Sequence, residues 1–173
     1  MSATALPGPS GAAIVAALKA SGVGFIAAVP DIWTSAGLLW PIAADDGFRL
    51  IRLCKEDEGI SICSGLAYAG KRAVLLMQST GLLDSMNALR AIAVEYEQPV
   101  CMLVGLLSKE PDRAPADSAQ YGVRIVPGIL EVMGIDYVVV EGPDDVGAIV
   151  PAIGAAYARS RPCAVLIGRQ VEA

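Results

Sequence analysis

The sequence contains no histidine. That absence excludes every mechanism that needs an imidazole from this chain: Ser-His-Asp triads, Cys-His pairs and histidine-ligated zinc. Phosphate-binding signatures are missing too, with no GxGxxG after a strand-like run and no GxxxxGK[ST] anywhere. Charge is scarce, at 18% of residues, and sums to −5. An acidic balance argues against nucleic acid and anionic membrane as partners, since both select basic patches. No apolar run approaches the roughly 20 residues that span a bilayer. The opening MSATALPGPS lacks a basic n-region and an apolar h-region, so no secretory signal is expected and a cytoplasmic location is the default. Cys54, Cys63, Cys101 and Cys163 are far apart, form no CxxC pair and lie in apolar segments, where they read as small hydrophobes.

What is abundant is apolar: 54% of 173 residues. That length suits a single domain, 1–173, with a substantial core. So little polar surface also suggests further burial against other subunits. Short β-rich runs alternate with helical ones. Ser10 is placed to cap a helix reaching about Ser21, with Ile14, Val15 and Leu18 on its apolar face. VGFIAAVP reads as a strand, followed by a helix containing Trp33, Leu38, Leu39 and Trp40. FRLIRL and RAVLLMQ are further strands, separated by a helix, and another helix runs from the STGL turn to about Glu95. QPVCMLVGLL is a nearly continuous apolar run, as expected of a strand covered on both faces. A loop, a short helix opened by Pro127, the strand DYVVVE, a helix from Pro143 to about Ser160 and the strand CAVLIG complete the chain. The alternation predicts an α/β protein with a three-layer, doubly wound, mainly parallel sheet of six strands.

Such sheets bind ligands beyond the carboxyl ends of their strands, where strand order reverses. The segments just after strands therefore matter most: Val29-Pro30-Asp31, Cys54-Lys55-Glu56, Met77 to Gly81, and Gly105 to Gly122. The last is charged and proline-rich, and reads as either a lid or a solvated connector. Asp31 reads equally as a helix N-cap, and STGL as a plain strand-to-helix turn. In Lys55-Glu56-Asp57-Glu58, three acids precede an almost uncharged helix. They complement the positive end of the helix dipole. Helical spacing also sets Asp57 with Ser61, Ser64 and Tyr68 on the more polar side. Glu56 stacks over Ile60, Cys63 and Ala67, and Glu58 over Ile62, Gly65 and Ala69, so either glutamate could lead into a low-dielectric site. A carboxylate buried there must be protonated or find a strong donor. Periodicity does not choose between the two.

From Val29 to about Val140 the chain resembles the pyrimidine-binding (Pyr) domain of thiamine diphosphate-dependent 2-oxo acid decarboxylases, which are carboxy-lyases. It is most similar to the phosphonopyruvate decarboxylases and the alpha subunits of sulfopyruvate decarboxylases. The residues that carry this are VPD, CKEDEGISICSGLAYAGK, LLMQSTGLLDSMNAL and YGVRIVPGILEVMGIDY, in that order. The resemblance implies a glutamate after the second strand, hydrogen-bonded to N1′ of the cofactor's aminopyrimidine. There it favours the tautomer that deprotonates the thiazolium. Counting back nine residues from the family's glycine, Gly65, selects Glu56; anchoring on the EG dipeptide would select Glu58 instead. It further implies that Gln78, Ser79, Thr80, Gly81 and Leu82 pack along the pyrimidine, and that Asp31 stands at the substrate side.

Two features depart from that family. Many relatives carry histidine after the fourth strand; here that segment is PADSAQYG, so Ser118, Gln120 or the partner chain would have to stand in. The GDG…N signature of a diphosphate-binding (PP) domain is also absent. The resemblance therefore implies an alpha subunit of a hetero-oligomer. A beta subunit bearing the PP domain would complete the site for thiamine diphosphate and Mg2+, and the substrate would be a small 2-oxo acid. A non-catalytic or regulatory subunit that keeps the fold is the alternative; an unrelated nucleotide-binding domain is disfavoured by the missing phosphate loops.

Overall fold

Residues 7–172 are described by a computed structural model; the start of the segment read above as free of a secretory signal, residues 1–6, lies outside them. Six strands, β1 (Phe25–Ala28), β2 (Arg49–Arg52), β3 (Ala73–Gln78), β4 (Cys101–Gly105), β5 (Asp136–Val140) and β6 (Cys163–Ile167), form one sheet. Its order is β2-β1-β3-β4-β6-β5, and every neighbouring pair is parallel. The expected α/β three-layer fold is present, with the sheet wholly rather than mainly parallel.

The apolar runs follow from cover on both faces. Along β3, Val74 and Leu76 point to one core while Ala73, Leu75 and Met77 point to the other. Residues of β4 and β6 divide in the same way, Leu103 and Val165 to the first core and Val104 and Leu166 to the second. The first core is closed by α1 (Gly11–Ala20), the turn leading into α2 (Trp40–Ala43), and α8 (Ile149–Arg159). The second is closed by α3 (Glu56–Tyr68), the succession α4 (Ser79–Asp84), α5 (Met86–Ala88) and a π-type segment Leu89–Glu95, and then α6 (Tyr121–Arg124) and α7 (Val126–Val132). A Cβ on Gly59 would come within 2.4 Å of Leu75 Cδ1, so glycine lets α3 lie close against β3. Among the described residues, no helix is long and apolar enough to cross a membrane.

The helices are less regular than their sequence pattern suggests. Ser10 caps α1, its Oγ accepting from Ala13 N at 3.3 Å. The run expected from STGL to Glu95 breaks at Ser85, whose hydroxyl is buried and donates back to Gly81 O at 2.7 Å; such back-bonding bends helices. Pro127 stands in the first turn of α7, as expected of a helix-opening proline, and a separate short helix, α6, precedes it from Tyr121. Pro143 begins a 3-10 segment, and α8 proper starts at Ile149. The two ends of the described chain meet: Gly11 N donates to Glu172 O (2.8 Å) and Glu172 N to Pro9 O (3.0 Å).

Candidate active site

The chain runs from β1 outward to β2, then crosses back to β3 on the other side of β1. Strand order reverses there, and the carboxyl ends of β2, β1 and β3 lie side by side. Leu53 N donates to Ala28 O (3.1 Å) and Val29 N to Leu76 O (3.3 Å). The VPD, CKE and QSTG segments therefore emerge at one edge, where a doubly wound sheet offers a crevice.

The three acids have three different surroundings. Glu58 Oε2 accepts from Cys54 N at 3.2 Å, reaching back from the third position of α3 to close its N-terminus. Asp57 pairs with Lys55 at 3.4 Å, and the same ammonium lies 3.0 Å from Asp84 at the end of α4. The hydrogen bond with Asp84, and then that with Asp57, raises the pKa of Lys55 from its usual value. Glu56 alone of the three makes no hydrogen bond or ion pair among the described residues. Its half-buried side chain lies across α4. A Cβ on Gly81 would fall 2.3 Å from Glu56 Oε1 and 2.4 Å from its Cδ and Cγ. The chain thus brings Glu56 directly onto the QSTG turn, and glycine is what leaves room for it.

The other expected site residues divide. Gln78 ends β3 in extended conformation as N-cap of α4, Ser79 is buried and Thr80 is exposed. The first amides of α4 have no intrahelical partner. Leu82 is fully buried in the second core. Asp31 is turned onto its own loop: Oδ1 accepts from Trp33 N (2.6 Å) and Thr34 N (2.7 Å), and Oδ2 from Thr34 Oγ1 (2.7 Å). Its own N–H donates to Ser35 Oγ at 3.0 Å. That is the capping arrangement weighed above as one of its two readings.

The loop after β4 is tied down. Ser118 Oγ donates to Glu110 Oε2 (2.7 Å), and Glu110 Oε1 accepts from Ala119 N (3.0 Å). The Ser118 bond, aided by the backbone, holds the Glu110 carboxyl below the usual carboxylate range. Ser118 is fully buried, accepts from Gln120 N at 3.1 Å, and offers its carbonyl to Arg124 Nη1 at 2.9 Å. As a substitute for the missing histidine it is sealed away; Gln120 is exposed. Charged groups also follow the last two strands: Glu141 after β5 and Arg169 after β6, with Lys109 on the β4 loop beside Glu141. Lys109 lies within the charged segment Gly105 to Gly122 marked by the sequence, whereas Glu141 and Arg169 belong to no motif, and their place just after a parallel strand is the signal that finds them.

No family model matches the sequence. Curated relatives do. The chain is 30% identical to the sulfopyruvate decarboxylase subunit alpha of Methanococcus maripaludis, over 77% of this chain and 78% of that one. Against the subunit alpha of Methanothermobacter thermautotrophicus it is 32% identical, over 55% of this chain and 57% of the other. Against the sulfopyruvate decarboxylase of Methanosarcina acetivorans it is 28% identical over 91% of its own length, yet it spans only 40% of that longer protein.

Proposed function

This chain belongs to the sulfopyruvate decarboxylase alpha-subunit family, and from that premise we propose that it is the Pyr half of a two-subunit, thiamine diphosphate-dependent decarboxylase of a small 2-oxo acid. One observation carries the proposal: Glu56, the acid left without a local partner, lies across Gly81 at the first strand-order reversal. A half-buried carboxylate of this kind gains most from a ligand nitrogen. The room left by the missing Cβ of Gly81 is taken by the Glu56 carboxyl itself, which sets that carboxyl against the start of α4.

In this assignment the Glu56 carboxyl would hold N1′ of the aminopyrimidine by a hydrogen bond and set its protonation. Gln78 to Gly81 provide the surface beside the ring, and Asp31 holds the VPD turn in place. Bound there, thiamine diphosphate supplies an electron sink for the charge left when a 2-oxo acid loses carbon dioxide. The chain has no GDG motif, so Mg2+ and the diphosphate fall to a beta subunit that also covers the crevice and excludes water.

The test is co-expression with a chain bearing the PP domain. The purified pair is assayed for thiamine diphosphate and Mg2+ binding, and for carbon dioxide release from sulfopyruvate, phosphonopyruvate and an aromatic 2-oxo acid. Glu56→Gln should lower kcat by about 10²- to 10⁴-fold, whereas Glu58→Gln stays within a few-fold of the parent. A Glu56→Gln pair working at the parental rate refutes the assignment. A pair that binds no cofactor and releases no carbon dioxide favours the non-catalytic alternative.

A further inference from the structure

The sheet ends at β2 on one side and at β5 on the other, and the two edges differ. Exposed Arg49 and Arg52 bracket β2, the charged guard that keeps a free edge from pairing with other chains. β5 reads Asp136-Tyr137-Val138-Val139-Val140, a run of strong strand formers after its first residue, with no proline and no glycine. Its one charged side chain, Asp136, is already paired with Arg159. Nothing in the composition of β5 turns another strand away.

The backbone of β5 is half used. Gly168 N donates to Val140 O at 2.9 Å, and in a parallel ladder alternate residues face the neighbour, so Val138 and Val140 turn their polar groups to β6. Tyr137 and Val139 turn theirs outward, and neither the N–H nor the C=O of either has a hydrogen-bond partner among the described residues. The side chains are half covered as well. Val138 leans on the first core and Tyr137 and Val139 on the second, each only half-buried. Beside Val138, α8 presents Ala152 and Ala155, and a hollow of about 100 Å³ remains between helix and strand. The outward residues are spaced to match themselves. When a second β5 is related to the first by a two-fold axis at Val138, Tyr137 faces the copy's Val139 and Val139 faces the copy's Tyr137. An antiparallel pair of that kind exchanges both of its N–H···O bonds, so all the outward groups of these residues are satisfied together. Val138 meets its own counterpart on the first-core side, and the Tyr137–Val139 pairs lie on the second-core side, so both cores continue across the contact. Such a contact closes with two chains, which singles out a second copy as the occupant.

We propose that two copies of this chain join edge to edge through β5, antiparallel and with Val138 on the two-fold axis, to make one continuous sheet. This goes beyond the cofactor assignment and stands independently of it. β5 lies four strands from β1, about 19 Å at ordinary strand spacing, so the contact leaves the Glu56 crevice open to a different subunit. The experiment is sedimentation equilibrium of the full chain, alone and co-purified with the chain bearing the PP domain. A concentration-dependent dimer of the chain alone is expected, with two copies retained in the assembled complex. Val139→Pro removes an N–H that serves only this contact, at an edge position where proline is tolerated, and should weaken dimerisation about 10- to 100-fold. Far-UV circular dichroism checks that the variant stays folded. A second test leaves the ladder untouched: in a Cys54→Ser chain, Tyr137→Cys, Val138→Cys and Val139→Cys are each treated with oxidised glutathione. Val138→Cys should give the most disulfide-linked dimer, because only that position meets itself across the axis. A monomer at every concentration, a dimer that folded Val139→Pro leaves equally tight, or cross-linking as efficient at 137 or 139 as at 138 each overturn the proposal. So does a chain that is monomeric alone and whose Val139 amide is protected from hydrogen exchange only in the complex, which gives the edge to the other subunit. Thiamine diphosphate binding by the complex is measured separately, so a failure here is distinct from a failure of the Glu56 assignment.

Discussion

Gly81→Ala isolates the contact between α3 and α4 with one methyl group. The added Cβ would stand 2.3 Å from Glu56 Oε1 and 2.4 Å from Cδ and Cγ, so the carboxyl end must retreat by about 1 Å to reach ordinary contact distance. The neighbour that moves is the far end of a flexible side chain, beside solvent. Alanine is also a better helix residue than glycine by about 1 kcal/mol, and Gly81 occupies the third position of α4. The two effects oppose each other, so the melting temperature should change by less than about 4 °C. Catalysis should respond very differently, because a displacement of about 1 Å in a catalytic group costs on the order of 10² in rate. The assay is carbon dioxide release by the co-purified pair, alongside thermal denaturation of the chain alone. The decisive comparison is a double-mutant cycle with Glu56→Ala. With the carboxylate gone, the extra methyl has nothing to displace, so Gly81→Ala should then have no further effect on kcat. Parental activity in Gly81→Ala, or losses that simply multiply in the double variant, would refute the reasoning.

Three further outcomes follow from contacts described above. Glu58→Ala removes a side chain that closes the start of α3 and should cost about 0.5–1 kcal/mol, read by urea denaturation. Glu110 is held below its ordinary pKa in the folded chain, so its contribution is present above the unfolded value of about 4.3 and is lost as pH falls through the lower native value. Acid unfolding of the parent should therefore be steeper below about pH 4 than that of Glu110→Gln, with the two curves running parallel near neutrality. Burial pushes the Cys63 thiol up to about 12, and Cys101 and Cys163 are equally enclosed, whereas Cys54 is exposed. A thiol reagent at pH 7.5 should label one cysteine per native chain quickly and four after denaturation.

The strands were the legible part of the sequence, and the reason is physical. A parallel sheet covered on both sides needs apolar residues at successive positions, and β3, β4 and β6 write that need directly into the chain. Helix boundaries were less legible because local pattern does not determine them here. The break at Ser85 depends on a buried hydroxyl bonded to Gly81 O, and the early start of α6 on how the β4 loop is tied at Ser118. In the candidate site, residue type and the position after β2 pointed to a glutamate but could not separate Glu56 from Glu58 by periodicity. What distinguishes them is non-local: Glu58 closes its own helix, and Glu56 crosses to another one. Asp31 shows the converse, since both of its readings predict an acid there and only the directions of its oxygens reveal the cap. The Lys109–Glu141 pair joins residues 32 positions apart in sequence, which no local motif announces.

Because Pro9 and Gly11 are both hydrogen-bonded to Glu172, the described part of the chain, residues 7–172, nearly forms a ring. A short peptide joining the two ends, with new termini cut at the exposed turn Ala69-Gly70-Lys71, would give a circular permutant with every strand pairing intact. On the ribosome such a chain would emerge with the fully interior strands β3 and β4 first, adjacent in sequence and in space. The edge strand β2 would come last, after its neighbour β1, while the other edge strand, β5, would still precede the interior β6.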